Sequence, residues 1–307
     1  MNDPLALTAL DGREPLGFLA ALGAVRLLDE VERDVLLSWD RRTAIAELHG
    51  LDDVDEVLDL LISAATSGSW MPRLPTEWLP KMGQTGGDRA RIERSQFGER
   101  QRAVADWCAA LWTDLATEDR KASDGSGELR PVCVCTPFYA PMGKQSMNQM
   151  FSACHEQVLL APRERLREAL FGWRRVRGFT GESLDIRAFQ SAAESASGES
   201  SPAGVPGATW LALAALPLFR MTGDGAGAHA VGWHRVRRRP RFVWPLWWPP
   251  LDVDGIEVLL DHPTMCPRYR QDGEIPRPLG VFEVREAVRR PTSAGKSAGV
   301  LAALERR

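Results

Sequence analysis

The chain has 307 residues, 44% hydrophobic and 26% charged, with 38 Lys+Arg against 41 Asp+Glu. These proportions exclude a disordered or fibrous chain and fit two domains or one large one. No apolar run approaches the roughly 20 residues of a bilayer span, Met1–Pro15 has no leader-like pattern, and five cysteines, an odd number, point to a reducing compartment; the expected location is cytoplasmic.

The first expected element is a helix over 15–31. Pro15 suits a first turn, and Leu16, Leu19, Ala20, Gly23 and Leu27 follow three- and four-residue spacing. Gly17 and Gly23 inside it are read as points of close packing. Two short strands, 35–39 and 43–48, are separated by Asp40–Arg42, and a helix over 52–65 follows with Leu51, Val54, Val57, Leu58 and Leu61 on one face. Residues 66–88 form a Gly/Pro/Trp loop, then a long helix is expected over 89–118, a strand over 132–139, and helix over 148–173 broken near Pro162. A Ser/Gly/Pro-rich linker at 194–207 separates an N-terminal α+β domain, 1–193, from a C-terminal α+β region, 208–307. That region opens with an apolar helix over 208–219. Strands at 230–233 and 241–244, a short helix at 254–260 and a strand at 280–288 complete it. The fold class is α+β: a helix-hairpin-helix start, a mainly helical middle, and a mixed C-terminal part with short antiparallel strands.

Motifs of catalysis and cofactor binding do not hold together in this sequence. Cys133-Val-Cys135 is a single C-x-C on an apolar strand, without a second pair to complete a site, and Cys154-His155, His262 and Cys266 lack zinc-like spacing. Gly295-Lys-Ser297 imitates the end of a phosphate loop, but Arg290 stands where its first glycine belongs. Gly223–Gly227 follows a helix rather than opening one after a strand. Asp52, Asp53, Asp55 and Glu56 suit a helix N-terminus, Asp261-His262 lacks companions, and no nucleophile elbow is present. The expectation is no enzyme, no metal and no cofactor.

Basic residues, in contrast, are clustered. Residues 1–60 hold 14 acidic and 5 basic side chains, whereas the remainder carries a net charge of +6, so a total of −3 conceals a basic portion. Arg174, Arg175 and Arg177 stand beside Gly178 and Phe179; Arg235, Arg237, Arg238, Arg239 and Arg241 lie between Trp233 and Phe242. Guanidinium forks suit phosphate, and neighbouring aromatics suit stacking on single-stranded bases. The bland alternative is a solvated hairpin whose aromatics face the core. Two polar glycine loops extend the candidate nucleic-acid-binding set: Lys81 and Gln84 in 81–87, and Lys144, Gln145 and Asn148 in 142–149, which opens a helix. For the second loop, a plain helix cap by Ser146 is the competing reading.

Pro15-Leu-Gly-Phe-Leu-Ala-Ala-Leu-Gly23, Leu37-Ser-Trp39, Gly143-Lys-Gln145 leading into a helix, and Phe242-Val-Trp-Pro-Leu246 are scattered over most of the chain. Together they resemble subunits encoded in type I-G (formerly I-U) CRISPR loci, a group that includes a large effector subunit and smaller accessory proteins. The resemblance implies a noncatalytic subunit of an interference ribonucleoprotein in antiviral defence. Guide pairing would read sequence there, while this chain contacts guide RNA, target DNA or neighbouring Cas subunits. A second class of function, a protein-protein adaptor without nucleic-acid contact, rests on Trp244-Pro-Leu-Trp-Trp-Pro-Pro250 as an aromatic anchor.

Overall fold

The computed structural model describes residues 3–31, 34–68, 70–71, 102–121, 126–140, 145–189, 201–223, 227–237, 239–266, 277–291 and 299–305. Its first unit runs β1 (Leu5–Asp11), α1 (Pro15–Asp29), β2 (Leu36–Trp39), β3 (Ile45–His49) and α2 (Val54–Ser67). The sheet order is β1-β3-β2, antiparallel throughout, so β3 lies between the two strands that α1 connects. This is the split β-α-β arrangement. The helix-hairpin-helix expectation therefore stands for α1 to α2, while β1 ahead of it went unpredicted: Leu5-Ala-Leu-Thr-Ala-Leu-Asp11 has short alternation and no turn signal before it.

Helix α1 is buried along almost its whole length, not only on one stripe. It packs on α6 (Pro206–Ala214), whose residues are likewise all buried. Gly23 is what lets the two axes approach: a Cβ there would lie 1.7 Å from the Leu211 carbonyl oxygen. Gly17 makes a similar approach, to the Asp11 carbonyl. Both glycines are thus close-packing positions. Pro217 shortens the apolar helix expected over 208–219, which ends at Ala214 and passes into a single 3-10 turn at Leu216–Leu218.

Of the helix expected over 89–118, residues 89–101 lie outside the described residues, and the last part is corrected. Helix α3 (Arg102–Leu111) gives way directly to strand β4 (Trp112–Lys121), which pairs antiparallel with β5 (Leu129–Cys135). Thr113 and Thr117 are β-branched, and the partner strand satisfies their backbone; cross-strand pairing overrides the helical spacing of Trp107, Leu111 and Leu115. Helices α4 (Met147–Leu159) and α5 (Pro162–Phe171) are separated at Pro162 as expected. Of the segment 194–207, residues 201–207 are described; they hold β7 (Ala203–Gly204), paired with β6 (Val176–Arg177), and the first two residues of α6.

The remaining elements are the hairpin β8 (Met221–Gly223) and β9 (Ala228–Ala230), then β10 (Trp233–Val236), β11 (Arg239–Trp247), α7 (Val253–Asp261), β12 (Val281–Arg290) and β13 (Val300–Ala303). Strands β10-β11-β12-β13 form one antiparallel sheet in chain order. The two strands expected to pair at 230–233 and 241–244 are shifted: 233–236 pairs with 239–242, with Trp233 opposite Phe242.

Most of the tryptophan content goes into the core. Phe18 of α1 meets Trp39, Phe242, Trp244 and Trp247 with ring centroids 5.7–6.3 Å apart. The Trp244 indole donates to the Gly12 carbonyl at 2.7 Å, and Trp247 to the Leu37 carbonyl at 2.9 Å. A backbone bridge between Leu37 and Leu251 adds a direct link between the first sheet and the segment after β11. Buried apolar residues from Leu7 to Leu301 form one cluster.

Candidate nucleic-acid interface

The β10–β11 hairpin is built outward from that core. Trp233 and Phe242, directly opposite each other, are 8% and 0% exposed and stack among Phe138, Phe219 and Trp244. Three pairs further out the ladder ends at Val236 opposite Arg239, leaving a two-residue connection, 237–238. Arg237 takes a left-handed conformation there, φ 49. Such turns favour Asn or Gly, because a Cβ in this region is strained.

Alternation along the strands then fixes where the guanidinium groups go. Arg235 shares the face of Trp233, whereas Arg239 shares the opposite face with Arg241, and Arg237 caps the end. Arg235, Arg237 and Arg239 are exposed and have no carboxylate partner among the described residues. Arg241, nearer the core, is half-buried and ion-paired with Glu286 of β12 at 2.5 Å. Arg238 lies outside the described residues.

The second arginine group is differently disposed. Arg174 pairs with Glu164 at 2.7 Å and Glu168 at 3.3 Å. Arg175 bonds the buried Asp185 carboxylate at 2.8 Å and the Ala203 carbonyl at 2.8 Å, fastening 173–177 to β7. Arg177 alone of the three is exposed with no carboxylate partner among the described residues. Phe179, beside it in sequence, is buried.

Of the polar loops, Lys81, Gln84 and Lys144 lie outside the described residues. Asn148 is exposed on the first turn of α4. That helix start carries a full capping box: the Gln149 amide donates to Ser146 Oγ at 3.2 Å, and the Ser146 amide donates to Gln149 Oε1 at 2.8 Å. The Ser146 cap is therefore present. Gln145 is turned inward; its Nε2 donates to Glu182 Oε2 at 2.6 Å, and its carbonyl accepts from the Tyr139 hydroxyl at 2.6 Å.

Three arrangements went unnoticed in the sequence. Glu182 is buried in a 3-10 turn, Gly181–Ser183, in which Glu182 and Ser183 have φ 49 and 63. Burial pushes its carboxyl up to about 7, against the opposing effect of donors Gln145 and Thr180. Arg289 of β12 is a half-buried cation whose guanidinium donates to carbonyls: Pro137 at 2.7 Å, Gly299 at 2.8 Å and Phe138 at 3.1 Å, and lies 5.8 Å from the Trp233 ring centroid. Burial lowers its pKa to about 10, so it remains charged at neutral pH. The only signal for either is an ionisable residue within an apolar or glycine-flanked run.

The third arrangement is a Ser-His contact on the β2–β3 hairpin. Ser38 stands opposite Glu47, and its Oγ lies 2.8 Å from His49 Nε2 and 3.1 Å from Glu47 Oε2. Burial lowers the His49 pKa, favouring the neutral ring. The spacing is that of a nucleophile and base, but Glu47 reaches the serine rather than orienting the imidazole, and Ser38 is 2% exposed. Its register pairing is what the strands 35–39 and 43–48 would have revealed had their facing residues been matched. Among the described residues no group of three His, Cys, Asp or Glu side chains is placed to hold a metal ion, and no helix is long and apolar enough to cross a membrane.

Comparison of the sequence with protein-family models and with curated proteins finds no match.

Proposed function

We propose that this chain is a noncatalytic, nucleic-acid-contacting subunit of a type I CRISPR interference ribonucleoprotein. The observation that carries the reading is the β10–β11 hairpin, where Arg235, Arg237 and Arg239 stand exposed without carboxylate partners among the described residues. Guanidinium groups so placed satisfy the electrostatic requirement for phosphate binding. The resemblance of the 15–23, 37–39, 143–145 and 242–246 segments to type I-G subunits supplies the biological setting; guide RNA, target DNA and neighbouring Cas subunits are the partners, in the cytoplasm.

The test is recovery of a tagged chain from cells carrying its native locus. Co-purifying RNA of uniform length, or Cas subunits bearing it, supports the reading; protein that brings neither contradicts it. One observation favours the adaptor reading. Trp244 and Trp247 are committed to the core, but Trp248 is 53% exposed beside Gly280. A Trp248→Ala variant that loses its protein partners while hairpin variants keep them would favour that alternative.

A further inference from the structure

We infer that the β10–β11 hairpin engages duplex DNA by lying between its two phosphate rows, rather than stacking on single-stranded bases. The inference rests on the nucleic-acid reading above and gives the substrate class for the same hairpin. Three observations lead to it. First, the aromatics that would stack on bases are committed elsewhere: Trp233 and Phe242 are packed into a ring cluster with Phe138, Phe219 and Trp244, and Arg289 lies over the Trp233 ring. A single-strand track needs such platforms beside its cations. The hairpin instead offers charge.

Second, the charge is distributed around the ribbon. Arg235 lies on one face, Arg239 on the other, and Arg237 at the end, because side chains alternate along paired strands. A groove-bound ribbon meets phosphates on both sides, and the B-form major groove, about 12 Å wide, admits two strands. A flat single-strand track would call for guanidinium groups on one face. A-form duplexes have a deep, narrow major groove that excludes such an insertion.

Third, the turn itself departs from the local rule. Arginine occupies the left-handed position 237, where glycine or asparagine is the unstrained choice. A residue kept in a costly conformation at an exposed tip is the pattern expected when its side chain is used. Contacts of this kind read backbone position and not base identity, so the expected binding is sequence-tolerant.

The experiment uses the full chain and four labelled 20-mers of one sequence: duplex DNA, single-stranded DNA, the same strand made abasic, and duplex RNA. Affinity is read by anisotropy at fixed salt. The expected order is duplex DNA tightest, with abasic and normal single strands equal and weaker. An Arg235→Gln/Arg237→Gln/Arg239→Gln variant loses about tenfold or more on duplex DNA, since phosphate neutralisation dominates such affinity. The corresponding triple Lys variant retains most binding because the point charges remain, which separates loss of charge from loss of fold. Preference for normal over abasic single strand, or for RNA duplex over DNA duplex, overturns the groove inference while leaving nucleic-acid contact intact. Failure of the wild type to bind any of the four, or equal binding by wild type and a folded triple Gln variant, overturns the nucleic-acid reading of the hairpin itself.

Discussion

Arg237 holds φ 49 at the outermost point of its hairpin, and that single dihedral links stability to function. Arg237→Gly removes the Cβ strain, so it is expected to raise unfolding free energy by about 1 kcal/mol in urea titration while weakening nucleic-acid affinity. A variant that is less stable, or binds more tightly, contradicts the account. Glu182 makes a second residue-scale prediction. Its carboxyl titrates near 7 in the folded protein against 4.5 ordinarily, so between those values the folded state holds a proton that the unfolded chain has lost. Stability therefore falls as pH rises from about 4.5 through 7 and levels off above. Glu182→Gln, uncharged throughout, is expected to remove this loss, a gain of up to about 3 kcal/mol at pH 8 with little change at pH 4.5. Urea midpoints at the two pH values check it; equal midpoint differences would contradict it. Neither residue was fully legible from sequence. The arginine cluster was plain, but its division into exposed groups and groups paired with Glu286, Glu164 or Asp185 depends on partners distant in the chain. Glu182 had no pattern to mark it, since its burial comes from α4 and α6 closing over a short turn.

Between elements, the decisive approach is that of α1 to α6. A Cβ at position 23 would overlap the Leu211 carbonyl, a backbone atom that cannot rotate away. Gly23→Ala is expected to cost about 3 kcal/mol or more, beyond the ordinary range for one added methyl, because two helices must separate. A thermal midpoint unchanged from the parent would refute this packing argument. Here the sequence was informative: glycine within an apolar helix signals close approach. It was silent on which helix approaches. The failure at 112–118 is of another kind. Residues 102–121 carry helical spacing into a region whose β-branched threonines find a partner strand, β5, so a local period gave the wrong element once pairing became available. Strand β13 was missed for want of length: Val300–Ala303 has four residues, and its role is visible only in register with β12.

Across the molecule, the segregation of acidic and basic residues in sequence does not survive as two separate surfaces. Arg163 pairs with Asp55 and Asp59, and Arg187 with Glu14, so acidic residues of the first 60 neutralise some of the basic remainder. Exposed ion pairs of this sort contribute little to stability. Their importance is in subtraction: they remove candidate phosphate ligands and leave the hairpin arginines conspicuous. The most direct measurement is the salt dependence of duplex-DNA affinity for the full chain and for its Arg235→Gln/Arg237→Gln/Arg239→Gln variant. With three phosphate contacts at the hairpin, the slope of log affinity against log salt should shrink by about 2.7 in the variant. Equal slopes in two folded proteins would show that the hairpin carries no phosphate contact.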